Sequence, residues 1–476
     1  MNIIMETATQ KQTPKITLIY PGIGLCGFGQ VKINTSGEVH WIHHGIASIG
    51  ASAKKAGYNV NLIDMRTLDS WEDFEKLIAG EKSDIVGISI SSMDSKVAME
   101  AIDIIKELNP QTKIVVGGIN VTVFPEKYSE NIKIDYIVTG EGEITFVKII
   151  NAIVKNGSWP RVSRGEKPNL DDLPWVNREM FDYSRELGRR PWNPGERTTP
   201  SITMIAGRGC PYQCTYCQPA ESLTYGKPHR MRSPENVIEE MKTLKNKYDF
   251  KSVTFWDDTF TLYPQWVYKF CDLYEKENFG SLLAICSRTD IICRNEDMMK
   301  RLKEVGLDLV MVGFESGSQR MLDFLKKGTT IEQNYKAAAI CKKYGIKMLA
   351  SFMLGLPTET KEEQEATIKM INDTKPEIPA AFYFLPIMGT EIYQFCKDND
   401  LILPEYKENF LNIERTKNYR PRIKNVDYEF LDSLRTKIYN YDRGGNRVIR
   451  LIKKGLSEPS KIIPFIKKKL SKANLF

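Results

Sequence analysis

Three of the chain's nine cysteines stand within eight positions in the stretch GRGCPYQCTYCQPA (207–220), spaced Cys210-x3-Cys214-x2-Cys217. Thiolates are soft ligands, and one loop carrying several of them can wrap a zinc ion or an iron-sulfur cluster. A structural zinc takes four ligands, yet the nearest histidine is His229 and there is no second cysteine pair. Three thiols on a loop that follows a strand-like run leave one coordination position open. That suits a cluster whose unique iron binds a substrate or cosubstrate. Cys26, Cys271, Cys286, Cys293, Cys341 and Cys396 stand singly in apparent strands and helices. They read as small apolar residues or free thiols, not as a disulfide framework.

The elements that must position this loop follow from periodicity. A length of 476 residues exceeds what one core organises and predicts two or three domains. Over 1–155, apolar runs such as KITLIYP, DIVGISIS and KIVVGG alternate with helical patterns, which predicts a doubly wound α/β domain around a parallel sheet. Its ligand edge lies beyond the strand ends, at the loops starting at Pro21, Asp64, Ser89, Gly117 and Gly140. GIGLCG (22–27) matches a dinucleotide fingerprint, but no helix opens on it, and the acidic strand end at Asp64 lies 37 residues past its last glycine. NAD is therefore rejected. Residues 156–200, rich in Pro, Asn, Asp and Arg, read as a connecting strap. Over 201–405 six strand-like runs alternate with helices, predicting a partial (β/α)6 barrel with its site at the C-terminal strand ends. Residues 406–476 are expected to be a helical region ending in a basic tail.

With Tyr216 before the last cysteine and RGCP leading in, the cysteine loop resembles that of the radical S-adenosylmethionine (SAM) enzymes. The resemblance implies a 4Fe-4S cluster on Cys210, Cys214 and Cys217 whose free iron chelates SAM. One electron then cleaves SAM to methionine and a 5′-deoxyadenosyl radical. It further implies SAM contacts at Asp257 or Asp258 in FWDDTF, at Arg288 in SRTD, and at Tyr216, Glu315 and Ser316, the last two in GFESGS. The family's usual Gly-Gly-Glu is absent at the first of these positions, so neither aspartate is singled out.

A doubly wound domain ahead of such a barrel, joined through LDDLPW, resembles the cobalamin-binding branch, over about residues 15–400. That implies cobalamin at Ser89, Ser91, Gly117, Gly118, Asn120 and Gly140. No Asp-x-His-x-x-Gly segment offers a lower axial histidine, although His43 and His44 precede the first helix. The implied activity is methylation of an unactivated carbon of a small-molecule or lipid substrate, fed by an external flavodoxin- or ferredoxin-like electron donor. Radical ring formation or rearrangement, and a non-catalytic cobalamin or cluster sensor, are the alternatives.

Residues 443–476 carry ten Lys or Arg against one Glu, a net +9 where the whole chain has +7. Such a basic amphipathic segment either lies on an anionic membrane surface or packs with a solvated lysine face. Sparse aromatics argue against RNA, and no nucleic acid partner is expected. No run of eighteen apolar residues and no secretory signal pattern is present, so the expected compartment is the cytosol, with peripheral membrane contact through the tail. Anaerobic reconstitution is expected to give about four iron and four sulfide per chain. Ala at Cys210, Cys214 or Cys217 should abolish that loading and Cys271→Ala should keep it, as read by iron and sulfide assay.

Overall fold

The computed structural model describes residues 13–23, 28, 42–181, 199–403 and 423–439. The basic tail and the loop 24–27 lie outside the described residues. The N-terminal sheet comprises β1 (Ile16–Tyr20), β2 (Val60–Asp64), β3 (Ile85–Ser89), β4 (Lys113–Gly117), β5 (Tyr136–Thr139) and β6 (Val162–Arg164). Its order is β2-β1-β3-β4-β5-β6, with every pairing parallel. The chain leaves β1 towards β2 on one side and β3 on the other, so the loops at their carboxyl ends diverge and open a crevice. The Ala- and Ser-rich helix His44–Lys55 covers the sheet, and its small residues admit close neighbours. An ideal Cβ on Gly50 would stand 2.2 Å from Met180 Sδ, which seats the strap against this helix.

The strap is not wholly irregular. It opens with β6, which pairs with β5 and extends the sheet. Three residues, Val-Ser-Arg, are too few to show an alternation, and Val162 is exposed; the strand is set by the free edge of β5, which the sequence does not display.

The second sheet holds β7 (Ser201–Met204), β10 (Ser252–Phe255), β11 (Leu282–Ser287), β12 (Leu307–Glu315), β13 (Lys347–Leu354) and β14 (Ile378–Tyr383) in sequential order, all parallel. Strands β7 and β14 are its two edges, so the barrel is partial, as expected. Alternation sorts the side chains. Ile202, Met204, Val253, Phe255, Leu283 and Ile285 join the helix-covered core, while Ala284, Leu309, Met311, Leu349 and Ala380 form a separate cluster. A short antiparallel ribbon, β8 (Gly207–Arg208) with β9 (Arg230–Met231), interrupts the β/α rhythm. It pins the base of an excursion, 209–229, that carries all three clustered cysteines. Among the described residues no helix is long and apolar enough to cross a membrane.

Strap and barrel are joined by a buried ion triad. Glu240, on the helix Pro234–Tyr248, meets Arg178 of the strap at 3.0 Å and Arg232 at 2.6 Å. Burial alone would raise the Glu240 carboxyl, but the two guanidiniums hold it below its ordinary value. Glu240→Ala would strand two buried cations and is expected to cost about 3–5 kcal/mol in a urea titration. A change under about 1 kcal/mol would contradict the triad's role.

Candidate functional site

The cysteine loop is fixed from three sides. Thr215 N–H donates to Leu325 O at 3.0 Å, Ile392 N–H donates to Thr215 O at 3.0 Å, and Glu391 N–H donates to Gln218 O at 2.8 Å. Cys214 is buried, Cys210 half-buried and Cys217 exposed. Below the loop lies a buried polar knot. Lys327 Nζ donates to Glu315 Oε1 at 2.7 Å and to Tyr216 Oη at 3.0 Å, and Tyr216 Oη donates to the same Glu315 oxygen at 3.0 Å. Glu315 holds a left-handed φ of +62° beside a register shift in β12. Its carboxylate folds back over Gly313, where a Cβ would stand 2.0 Å from Oε1. Lys327 was not legible as a partner, because it lies beyond the helix Gln319–Phe324, off the strand that ends at Glu315.

A cavity of about 780 Å³ lies between the two domains. One wall comes from the N-terminal strand ends and includes Ser89, Ser91, Gly117, Gly118 and Gly140. The other comes from the barrel and includes Gly207, Arg208, Tyr225, Trp256 and Asp258. Gly118 adopts φ +99°, and a Cβ there would stand 2.8 Å from both N and O of Ile90, so bare backbone forms that part of the wall. Asn120 is not on the cavity. It is 1 % exposed, donates to Ser92 Oγ at 3.0 Å and accepts from Tyr128 Oη, and so braces the loop from behind.

The two aspartates part company. Asp257, 1 % exposed, accepts from Ala206 N–H at 3.1 Å and from Gly207 N–H, propping the strand that leads into the cysteine loop. Desolvation pushes it up to about 7. Asp258 opens into the cavity, where enclosure by the protein lifts it to about 6. Arg288 also departs from expectation. It does not face the cavity, because Asp290 and the Lys327 carbonyl hold it behind the cysteine loop. Ser316 is fully buried and accepts from Ser318 N–H at 3.1 Å, so it shapes a turn.

The domains meet through charges that sequence reading passed over. Arg208, two residues before Cys210, meets Glu141 at 2.8 Å and Glu143 at 2.7 Å, and Arg230 also pairs with Glu141. Ser48 Oγ donates to Glu143 at 2.8 Å. His43 caps the helix His44–Lys55, its Nδ1 accepting from Ile46 N–H at 3.1 Å, and His44 Nε2 lies 3.0 Å from Thr203 Oγ1. Both imidazoles line the cavity. Desolvation lowers His43 to about 4 and His44 well below its ordinary value, and nearby arginines add to both shifts.

Residues 204–371 match the family model for the Radical SAM superfamily, and residues 31–150 match the B12 binding domain. Over 406 residues the chain is 30% identical to an uncharacterized methyltransferase of Pyrococcus horikoshii, covering 82% of this chain and 85% of that protein. The chain belongs to the B12-binding branch of the radical SAM superfamily. This radical SAM chain is also 28% identical over 393 residues to the anaerobic magnesium-protoporphyrin IX monomethyl ester cyclase of Rubrivivax gelatinosus, covering 78% of this chain and 69% of that one. Its fold is similar to that of the cobalamin-dependent S-adenosylmethionine radical enzyme OxsB with aqua-cobalamin bound. The TM-score is 0.65 at 18% identity, with 83% of this chain covered. The chain spans 63% of that protein, less than two thirds of its length.

The radical SAM domain implies a 4Fe-4S cluster and SAM, and the B12-binding domain implies cobalamin. The residues present fit them. Among the described residues no three His, Cys, Asp or Glu side chains gather as a single metal ion requires. A 4Fe-4S cluster instead spreads its thiolates over different irons. The bare Gly118 backbone and a cavity in the size range of small-molecule sites suit a broad, flat cofactor.

Acid should weaken the domain interface through its histidines. The folded protein keeps both imidazoles neutral where the unfolded chain would charge them. Their contribution is therefore intact above the ordinary pKa of 6.5 and is lost as pH falls below it, for His43 over the range down to about 4. His44→Gln keeps a partner for Thr203 without the titration. Between pH 7.5 and 5 the melting temperature of the variant is expected to fall less than that of the parent. Asp257 and Asp258 shift the other way in both proteins and cancel from the comparison. Parallel falls would contradict the assignment.

Proposed function

We propose that this radical SAM enzyme transfers a methyl group from SAM to an unactivated carbon of a small-molecule substrate held between its two domains. The observation that carries the reading is the single cavity that takes one wall from the Gly117–Gly118 strand ends and the other from the barrel face beside the cysteine loop. When bound, the cluster supplies the electron that cleaves SAM, and the corrin supplies a methyl carrier. Cys210, Cys214 and Cys217 would hold the cluster, and Ser89, Ser91, Gly117, Gly118 and Gly140 would line the corrin edge. Asp258, open to the cavity, would accept from the SAM ammonium, while Glu315, bonded to Lys327 and Tyr216 in the knot below the cysteine loop, would brace that loop. His43 and His44 would present neutral imidazoles to the cavity and so add no charge to that of Arg66, Arg178, Arg208 and Arg232, which line it too. A low-potential one-electron donor of the flavodoxin or ferredoxin kind is the partner this chemistry needs.

Radical ring formation without net methyl transfer is the second reading, favoured by the likeness to the magnesium-protoporphyrin ester cyclase. SAM labelled in its methyl group separates the two, given reductant, cobalamin and substrate. Methyl transfer is expected to release S-adenosylhomocysteine and 5′-deoxyadenosine in near-equal amounts, with label in the product. Substrate consumed with deoxyadenosine alone, and no label in the product, would reject methyl transfer and put ring formation first.

A further inference from the structure

Arg288 stands where the resemblance called for a SAM carboxylate partner, yet every face of its guanidinium is engaged elsewhere. Nε donates to Asp290 at 3.0 Å and Nη2 to the Lys327 carbonyl at 2.6 Å. The plane stacks on the Tyr212 ring with Cζ 3.5 Å from its centroid. The remaining nitrogen, Nη1, points at Cys214 Sγ at 3.8 Å. Arg288 is 5 % exposed and Cys214 6 %, so water screens this contact little. A guanidinium held this way serves the sulfur that it faces.

We infer that Arg288 is a positioning residue for the cluster, which holds Cys214 in its ligating orientation and raises the cluster's reduction potential. Reduction adds one electron, taken from the external donor, and no proton, so the cluster gains one negative charge. A fixed buried cation beside a ligating sulfur favours that more negative form, and an N–H aimed at the sulfur acts in the same direction. Asp290 does not depend on Arg288 alone, because Arg294 reaches its other oxygen at 2.8 Å. Removing Arg288 therefore leaves no bare buried carboxylate. The inference rests on the three cysteines holding the cluster; a failure of that reading would appear as a parent protein without iron.

The test is an EPR-monitored redox titration with dithionite of the full chain, reconstituted with cluster, as parent, Arg288→Lys, Arg288→Gln and Arg288→Met. Arg288→Met and Arg288→Gln are expected to lower the reduced-to-oxidised ratio at a fixed potential about tenfold, which for one electron is about 59 mV. Arg288→Lys, which keeps the charge, should recover most of that loss. If Arg288→Met holds no iron, the contrast between Lys and Gln decides the matter on the same scale. Ratios within twofold of the parent in every variant that retains iron would overturn the inference. So would a lysine variant that shifts as far as the glutamine one, or loss of iron in all three.

Discussion

The structure depends on a buried set of opposite charges between the domains, Glu141 from the loop after β5 and Glu143 from the start of the helix Glu143–Val154 against Arg208 and Arg230 from the β8–β9 ribbon. Both carboxylates are almost wholly buried, so each carries a desolvation cost that only a well-formed partner offsets. Such a contact adds little net stability. It penalises misalignment, because any relative shift of the domains leaves charges buried and unpaired. Arg208 lies two residues before Cys210, and Glu141 immediately follows Gly140 on the cavity wall. The same bonds therefore fix the cysteine loop against the edge assigned to the corrin.

Neighbouring contacts reinforce this register by other means. Glu240 ties the strap to the barrel, and Asp257 ties the end of β7 to the end of β10 through backbone donors. His44 bridges the first helix of one domain to the first strand of the other without bringing a charge. The wall of the cavity is thus assembled from elements whose charges are already paired. Asp258 is the one of the two adjacent aspartates that opens into the cavity.

Much of this was legible in the sequence. Runs such as DIVGISIS and LDLVMVGFES report strands buried on both faces, and Cys-x3-Cys-x2-Cys reports a cluster loop because ligand identity and spacing both lie within one local segment. What was not legible depends on where side chains turn after the chain folds. Asp257 and Asp258 are adjacent and chemically identical, yet one meets the backbone of Ala206 and Gly207 while the other meets open space. Asn120 and Arg288 sit in the expected loops, but Tyr128 and Tyr212, far away in sequence or on another element, draw them from the cavity. The glutamates of TGEGE gave no sign of an ion pair in the sequence, because their partners Arg208 and Arg230 are more than sixty residues away.

The most direct measurement is a double-mutant cycle on cobalamin affinity, followed optically under anaerobic conditions with Arg208→Gln, Glu143→Gln and the pair. If the two residues act as one unit that keeps the domains in register, each single variant should weaken binding and the second change should cost much less in the presence of the first. A coupling of about 0.5–3 kcal/mol is expected for such contacting charges. Strict additivity would mean that Arg208 and Glu143 act on the ligand separately, and would contradict a shared register across the interface.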